Sequence, residues 1–128
     1  MLADLSEATD RFYVALNEML EGDASPMLDV WSHADDVTYM SPFGELLTGW
    51  DAVRASWQAQ ADQGLGGEVR PEELHHFASD ELGFVVGYER GHVEIDGART
   101  AVDIRATSMY RVEDDRWVMI GHHTDPLG

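Results

Sequence analysis

Apolar residues in the first part of the chain recur every three or four positions. They are Leu5, Phe12, Leu16, Met19 and Leu20, and Thr9 lies at the same helical spacing. This spacing places them on one face of a helix, so the pattern predicts an amphipathic helix over residues 4–21. Gly22 follows the last apolar position and is expected to end this helix.

Three further elements precede a glycine-rich loop at residues 64–67. Ser25 and Pro26 predict the start of a short second helix, because serine favours the N-cap and proline the first helical position. The stretch VTYMSPF, residues 37–43, alternates in polarity and carries β-branched and aromatic residues, so it predicts a strand. A third helix is predicted over residues 50–63.

The remaining residues predict a sheet. Its four strands are expected at Glu73–Ser79, Leu82–Ile95, Arg99–Val112 and Trp117–His123. Asp96 and Gly97 predict a two-residue hairpin turn, since both residues tolerate the positive φ that this turn needs. The turn sets Arg90 opposite Asp103, and such a pair of opposite charges supports the register. A second turn at Asp114 and Asp115 pairs Val112 with Trp117.

Strand alternation then assigns each side chain to a face of the sheet. The face that is expected to meet the helices carries Val102, Ile104, Ala106, Ser108, Tyr110 and Val112, and through the hairpins Val85, Glu89, Val93, Trp117, Met119 and His123. His122 falls on the outer face. Glu89 and His123 would lie roughly 10 Å apart at their Cα atoms, since neighbouring strands are ~4.8 Å apart. We therefore expect a substrate between them and no direct contact.

Composition narrows the class of protein. The chain has 128 residues, 44% of them hydrophobic, and a net charge of −17. Such a charge makes nucleic acid and anionic membranes poor partners. Absence of cysteine excludes disulfides and thiolate catalysis. No secretory leader or long apolar run is recognisable, so we expect one soluble, cytoplasmic domain over residues 1–128.

Two stretches carry a family resemblance. VTYMSPFGELLTGWDAVRASW (residues 37–57) and YRVEDDRWVMIGHHTDP (110–126) resemble the SnoaL-like, ketosteroid-isomerase-like branch of the nuclear transport factor 2-like superfamily. The second stretch is also similar to the end of the association domain of calcium/calmodulin-dependent protein kinase II. The resemblance implies an α+β fold: a cone-shaped half-barrel with three N-terminal helices packed in a curved, mostly antiparallel sheet.

The resemblance does not imply steroid isomerisation. The general-base aspartate of the steroid isomerases falls at Ser41 in this chain, and their oxyanion-hole acid falls near Ser108. Their oxyanion-hole tyrosine falls near Ala15, with Tyr13 the tyrosine close by. Because three key positions depart from the pattern, the family mechanism of steroid isomerisation is not expected here.

The candidate catalytic residues are His123 and Glu89, which the strand alternation places on the inner face. Histidine titrates in the useful range, and a carboxylate on an apolar face needs a partner. The candidate ligand-binding residues are Trp31, Tyr39, Ser41, Phe43, Trp57, Ser108 and Tyr110. No two histidines have the helical i, i+4 or strand i, i+2 spacing of a metal-binding pair, and no glycine-rich phosphate loop is present, so we expect no metal and no cofactor.

These residues predict a protein that binds a hydrophobic small molecule in an apolar pocket. Cofactor-independent acid/base chemistry on a carbonyl compound, of the isomerase, dehydratase or cyclase type, is the enzymatic form of this hypothesis. The alternative is a non-catalytic association module, which a pocket filled by Trp57 and Phe43 would favour. A homodimer is expected through the outer face, which carries Tyr88, Thr107, Met109, Val118, Ile120 and His122.

Overall fold

The computed structural model describes residues 2–127, with the side chains from residue 4 onward. It contains the helices α1 (Leu2–Leu20), α2 (Ser25–Val30) and α3 (Trp50–Gln63), and the strands β1 (Thr38–Met40), β2 (Leu46–Thr48), β3 (Gly67–Ala78), β4 (Leu82–Ile95), β5 (Ala98–Glu113) and β6 (Arg116–Pro126). Among the helices described, none has the length and apolar character to cross a membrane.

The strands form one six-stranded sheet in the order β2-β1-β6-β5-β4-β3. Only β1 and β6 run parallel, while the other neighbours are antiparallel. The sheet is curved and unclosed, and the helices pack inside it, so the predicted α+β half-barrel is confirmed. The sequence pattern missed β2 and the first half of β3. Pro71 is tolerated in β3 because β3 is an edge strand of the sheet.

Both predicted hairpins have the expected register. Ile95 pairs with Ala98 across the first turn, and Val112 pairs with Trp117 across the second. Asp96 and Gly97 have φ angles of 51° and 79°, which a two-residue hairpin turn of this kind requires.

The sequence analysis assigned His122 and His123 to the wrong faces of the sheet. Tyr110 pairs with Met119 and Met109 pairs with Gly121, so Ile120 has no partner on β5. Such a β-bulge moves every later side chain of the strand to the opposite face. His122 therefore lies inside and His123 outside, although the preceding turn is even, as predicted.

The bulge lies where β6 changes its other neighbour. Met119 forms an isolated bridge with Trp31, whereas Gly121 begins the parallel ladder with Thr38 of β1. Ile120 lies between these two pairings, and it lines a groove together with Met109. On the edge away from β5, strand β6 therefore pairs first with Trp31 and then, after the bulge, with β1.

The core lies between α1, α2, α3 and the concave side of the sheet. Phe12, Met27, Trp31, Trp57 and Met119 are among its largest fully buried side chains. Alternate positions of β4 and β5, including Val85, Ile104 and Ala106, close the core from below. Burial of these apolar surfaces is the main favourable term in folding.

Helix α1 is tied to the edge strand β3 by one side chain. The Asn17 amide donates to the Val69 carbonyl at 2.8 Å and accepts from the Val69 backbone N–H at 2.8 Å. These two bonds satisfy backbone groups that an edge strand would otherwise leave unpaired. They also fix the height of α1 over the sheet, one helical turn away from Tyr13.

Candidate functional site

A small cavity lies between the helices and the concave face of the sheet. Its volume is about 110 Å³. The lining is mostly apolar and comes from α1, α3, the β1–β2 loop and the three central strands: Leu16, Met19, Leu20, Tyr39, Pro42, Phe43, Trp57, Gln60, Gln63, Leu65, Val69, Glu89, Val93, Val102, Ile104, His122 and Thr124. An apolar cavity with a few convergent polar groups is the usual form of a ligand site.

Glu89 is the one carboxylate among the residues that line this cavity. Its residue is only 4% exposed. Two donors meet one of its oxygens: the Tyr13 hydroxyl donates to Oε2 at 2.9 Å, and His122 Nε2 lies 3.0 Å from the same atom. Oε1 has no hydrogen-bond partner among the residues described. Two contacts therefore hold the carboxylate at Oε2, and the lone pairs of Oε1 have no donor among the residues described.

Both ring nitrogens of His122 are used inside the protein. Nδ1 lies 2.8 Å from the Ser108 hydroxyl, while Nε2 contacts Glu89. The ring is also packed against Phe12, with the ring centroids 4.7 Å apart. His122 therefore holds and orients Glu89 and has no free nitrogen with which to accept a proton from a ligand.

Small residues on the inner face allow Glu89 and His122 to meet across β5. Glu89 pairs with Ile104 and His122 with Ser108, so Ala106 lies between them on β5. The methyl side chain of Ala106 leaves room for the longer carboxylate and imidazole to make contact. The expectation of no direct contact was derived for His123 and does not apply to His122, which the bulge brings inside.

Three tyrosines have raised pKa values. Burial is the largest cause for Tyr13, Tyr39 and Tyr110, and the negative charge of Glu89 raises all three further. Their hydroxyl groups therefore remain protonated through neutral pH. Tyr13 in particular is kept as a hydrogen-bond donor to Glu89.

Tyr39 and Trp57 form one aromatic wall of the cavity. Their rings are stacked with centroids 4.6 Å apart. The Gln60 side-chain amide donates to the Tyr39 hydroxyl at 3.2 Å. The Trp57 indole nitrogen is buried and has no partner among the residues described. This wall thus combines apolar surface with two polar hydrogens.

The structure brings some of the predicted site residues to the cavity and leaves others away from it. Glu89, Tyr39, Trp57 and Phe43 border it. Phe43 is 69% exposed and lies at the rim, so it does not fill the cavity. The other predicted ligand-binding residues are buried but do not line the cavity: Trp31, Ser41, Ser108 and Tyr110.

His123, which the sequence placed inside, lies on the outer face. Its Nε2 is 2.8 Å from the Thr38 hydroxyl, and the residue borders an outer groove with Tyr88 and Arg105. Partial burial, followed by the neighbouring His122, lowers the pKa of His123. The structure gives His123 no contact with the inner cavity.

The sequence missed three residues of the site. His122 was assigned to the wrong face because a bulge leaves no clear sequence signal. Tyr13 was noted only as a tyrosine near a family position, and Gln60 carried no pattern at all. A partner for Glu89 could have been sought on α1, since a buried carboxylate requires donors.

No metal-binding set is present among the residues described: nowhere do three or more histidine or acidic side chains converge in a ligand geometry.

The comparisons with known proteins agree with this fold. The model of the SnoaL-like domain family matches residues 5–125. A comparison with curated proteins finds no significant match. A solved structure from Thiobacillus denitrificans, described as a candidate calcium/calmodulin-dependent protein kinase type II association domain, is 27% identical, with a TM-score of 0.76 over 94% of this chain and 93% of that chain.

Two more distant structures show the same fold. A candidate dehydratase of the nuclear transport factor 2-like family from Streptomyces avermitilis is 20% identical, with a TM-score of 0.86 over 99% of this chain and 96% of that chain. The calcium/calmodulin-dependent kinase II hub homology domain from Chlamydomonas reinhardtii is 17% identical, with a TM-score of 0.72 over the full length of both chains.

Adjacent histidines on β6 provide a matched pair of substitutions. His122→Ala leaves the Glu89 carboxylate buried without one of its donors, so we expect it to lower the free energy of unfolding by about 3–5 kcal/mol. His123→Ala removes one partly exposed hydrogen bond and should cost about 1 kcal/mol. Urea unfolding at pH 7 measures both. Equal losses, or a larger loss for His123→Ala, would contradict the bulge.

The raised tyrosine pKa values predict a loss of stability at alkaline pH. An unfolded tyrosine ionises near pH 10, while the buried Tyr13, Tyr39 and Tyr110 stay protonated in the folded state. The unfolded state then binds fewer protons, so stability is complete below about pH 10 and falls above it by about 4 kcal/mol per pH unit. Urea unfolding across this range checks the slope. Tyrosinate absorbance from these residues in the folded protein near pH 10 would contradict it.

Proposed function

The chain belongs to the SnoaL-like domain family, and we propose that residues 1–128 form one such domain, which binds a small apolar carbonyl compound in the inner cavity. We propose further that Glu89 removes a proton from the carbon next to the carbonyl group, without a cofactor. Isomerisation, dehydration and cyclisation can all begin with this step.

The observation that carries the proposal is the asymmetric environment of the Glu89 carboxylate. Tyr13 and His122 both bind Oε2, and Oε1 has no partner among the residues described. A general base needs a fixed position and a free lone pair that faces the substrate. The two contacts at Oε2 fix the carboxylate, and Glu89 borders the cavity, so both observations support this proposal.

In the proposed reaction, Glu89 both takes the proton from the substrate and returns it. Glu89 Oε1 accepts the proton from the α-carbon, the C–H electrons form the carbon–carbon double bond of an enolate, and the carbonyl electrons move to oxygen. The proton then returns from Glu89 to the same or another carbon. Tyr13 and His122 are positioning residues in this step, because they touch Glu89 and do not need to touch the substrate.

The apolar lining supports this chemistry. Leu16, Val102 and Ile104 contribute to the apolar lining of the cavity that Glu89 borders. Electrostatic interactions are stronger in such a medium than in water. A carboxylate held there by two hydrogen bonds reacts without first shedding a full hydration shell.

Hydrogen–deuterium exchange tests the proposed base. In D₂O, the protein should speed deuterium incorporation at the α-carbons of ketones, measured by NMR over a panel from 2-butanone to cyclohexanone and 2-heptanone. Glu89→Gln keeps the shape of the side chain but removes the base, so the rate should fall about 10²–10⁴-fold.

Glu94→Gln is the matched control for this experiment. Glu94 is on the same strand, opposite Arg99, and does not line the cavity. The substitution should leave the exchange rate within about twofold. No exchange above background with any ketone of the panel, or exchange that survives Glu89→Gln, would refute the proposed base.

A second function, self-association, is favoured by the outer face of the sheet. An exposed apolar strip there contains Phe77 and Phe84, whose rings stack at 4.9 Å, and continues to Met109 and Ile120. Of the outer-face residues predicted from the sequence, His122 is inside, and Val118 is buried within the protomer. The strip exposes the apolar side chains of Phe77 and Phe84, as interfaces often do.

Local charge balance also favours this face. Arg90 pairs with Asp103 at 3.0 Å, and Arg105 pairs with Asp125. Two such faces can approach without the repulsion expected from a chain of net charge −17. The similar structures named as association and hub domains support the same proposal. We therefore propose a homodimer through the outer face, with or without catalysis in the cavity.

Light scattering tests the dimer. The wild-type protein should have the mass of a dimer at micromolar concentration. Phe84→Asp should make it monomeric, because the charge would be buried in the interface without a partner. Val14→Asp is the control, since Val14 is also apolar and is 61% exposed, but lies on α1. A monomeric wild type, or dissociation by both variants, would contradict the assignment of this face.

A further inference from the structure

A groove of about 570 Å³ runs over the outer side of β3, β4 and β5, near the turn between the last two strands. It faces away from the inner cavity, because Arg90 and His92 alternate along β4 with the inward-pointing Glu89. Three of the chain's eight basic side chains line it: Arg70, Arg90 and Arg99. The groove therefore gathers a large share of the cations of a chain whose net charge is −17.

Small residues form the floor of this groove. Gly91 has no side chain, and a Cβ there would overlap the Glu68 carbonyl oxygen, so only glycine lets β3 approach β4 this closely. Ala101 of β5 is paired with His92 and adds no more than a methyl group. The longer arginine and imidazole side chains therefore border an open space.

Two of the three arginines have carboxylate partners. Arg90 donates to Asp103 at 3.0 Å and to Glu72 at 2.9 Å. Glu72 also pairs with Arg70 at 3.4 Å, and the Arg70 side chain is 59% exposed. With Arg99 included, three guanidinium groups meet two carboxylates, so the groove keeps an excess of one positive charge.

Arg99 has no carboxylate partner in the part of the chain that the structure describes, although Glu94 lies directly opposite on β4. Its guanidinium group instead contacts His92 Nδ1 at 3.2 Å. A guanidinium nitrogen can only donate, so Nδ1 accepts and the hydrogen of the neutral imidazole is on Nε2. This Nε2–H has no acceptor among the residues described.

The polar atoms of Arg99, His92 and Arg70 that remain free are therefore hydrogen-bond donors. A matching occupant supplies negative charge and several acceptor oxygens. A phosphate group carries nearly two negative charges at neutral pH and three strong acceptor oxygens, and guanidinium groups bind it through paired N–H bonds. A carboxylate offers one charge and two oxygens, so it matches this set of donors less well.

The charge of the rest of the protein limits the size of the anion. A nucleic acid would extend beyond the groove onto a surface whose acidic side chains repel it. Glu68 is paired in register with His92 but lines a separate groove beside α1. A compact anion that stays within the arginine-lined groove avoids most of this repulsion.

We propose that this groove binds a single phosphate group, either free or as the ester of a small molecule, through Arg99, His92 and Arg70. The site is independent of the reaction proposed for Glu89, since it lies on the opposite face of the sheet. It is also at the far end of that face from the apolar strip, because Phe84 and His92 are ~26 Å apart along β4 at ~3.3 Å per residue.

An NMR titration with inorganic phosphate at pH 7.5 tests the site. NaCl holds the ionic strength constant, so only the identity of the anion changes. The backbone amide signals of His92 and Arg99 should shift and saturate, and acetate should bind at least about threefold more weakly. Glycerol 3-phosphate distinguishes the sources: tighter binding than inorganic phosphate supports an ester, and equal or weaker binding supports free phosphate.

Two substitutions and a matched control localise the binding. Arg99→Gln should weaken phosphate binding about three- to tenfold, and His92→Phe, which keeps a flat ring without the N–H, at least about threefold. Arg54→Gln removes the same charge from the exposed side of α3 and should change the affinity less than about 1.5-fold.

Three results would overturn the inference. They are signals that shift without saturation, equal weakening by Arg99→Gln and Arg54→Gln, and acetate binding as tight as that of phosphate. Arg99 is exposed, so Arg99→Gln is expected to fold. That variant alone decides the outcome should His92→Phe not fold.

Discussion

A carboxylate buried in an apolar interior must be surrounded by hydrogen-bond donors, and in this protein that requirement joins the elements of the fold. Glu89 projects from β4 into the space under the helices, where water does not replace missing partners. Its donors come from α1, through Tyr13, and from β6, through His122. Ser108 of β5 then holds the far side of the imidazole. Four elements thus meet at one charged group.

The order of these contacts explains the division of roles at the site. Donors occupy Oε2 of Glu89, so Oε1 is the oxygen that can take a proton. His122 is bonded at both nitrogens and acts through Glu89. On the other wall, Tyr39 and Trp57 retain hydrogens without acceptors among the described residues. Glu89, the proposed base, borders the same cavity as this aromatic wall.

Much of the fold could be predicted from the sequence, since local patterns determine it. Helical periodicity located α1 and α3, and the Asp96-Gly97 turn set the register of β4 and β5. Alternation from that turn placed Glu89 inside correctly. The failure at His122 and His123 has one physical cause: the bulge at Ile120 arises because β6 changes partner from Trp31 to β1, and this is a tertiary event.

The sequence could predict the site residues only where side chains alternate regularly between the two faces of a strand. Glu89 and Trp57 were found because hairpin register and helical spacing pointed them inward, and Tyr39 because the family resemblance assigns that face of the first strand to the ligand. Tyr13 and Gln60 reach the site from helices whose height over the sheet is set by packing, and by the bonds of Asn17 to the edge of β3. The spacing of residues along the sequence does not indicate how high a helix lies over the sheet. The same holds for Phe43, which lies at the rim because the β1–β2 loop turns outward.

The contact between Glu89 and His122 is the central claim, and a pair of double-mutant cycles tests it most directly. Unfolding free energies would be measured for Glu89→Gln, His122→Ala, His123→Ala and the two double variants that contain Glu89→Gln. The structure predicts a coupling free energy above about 1 kcal/mol between Glu89 and His122, and one within about 0.5 kcal/mol of zero between Glu89 and His123. Coupling of Glu89 to His123, with none to His122, would contradict the bulge and the site built on it.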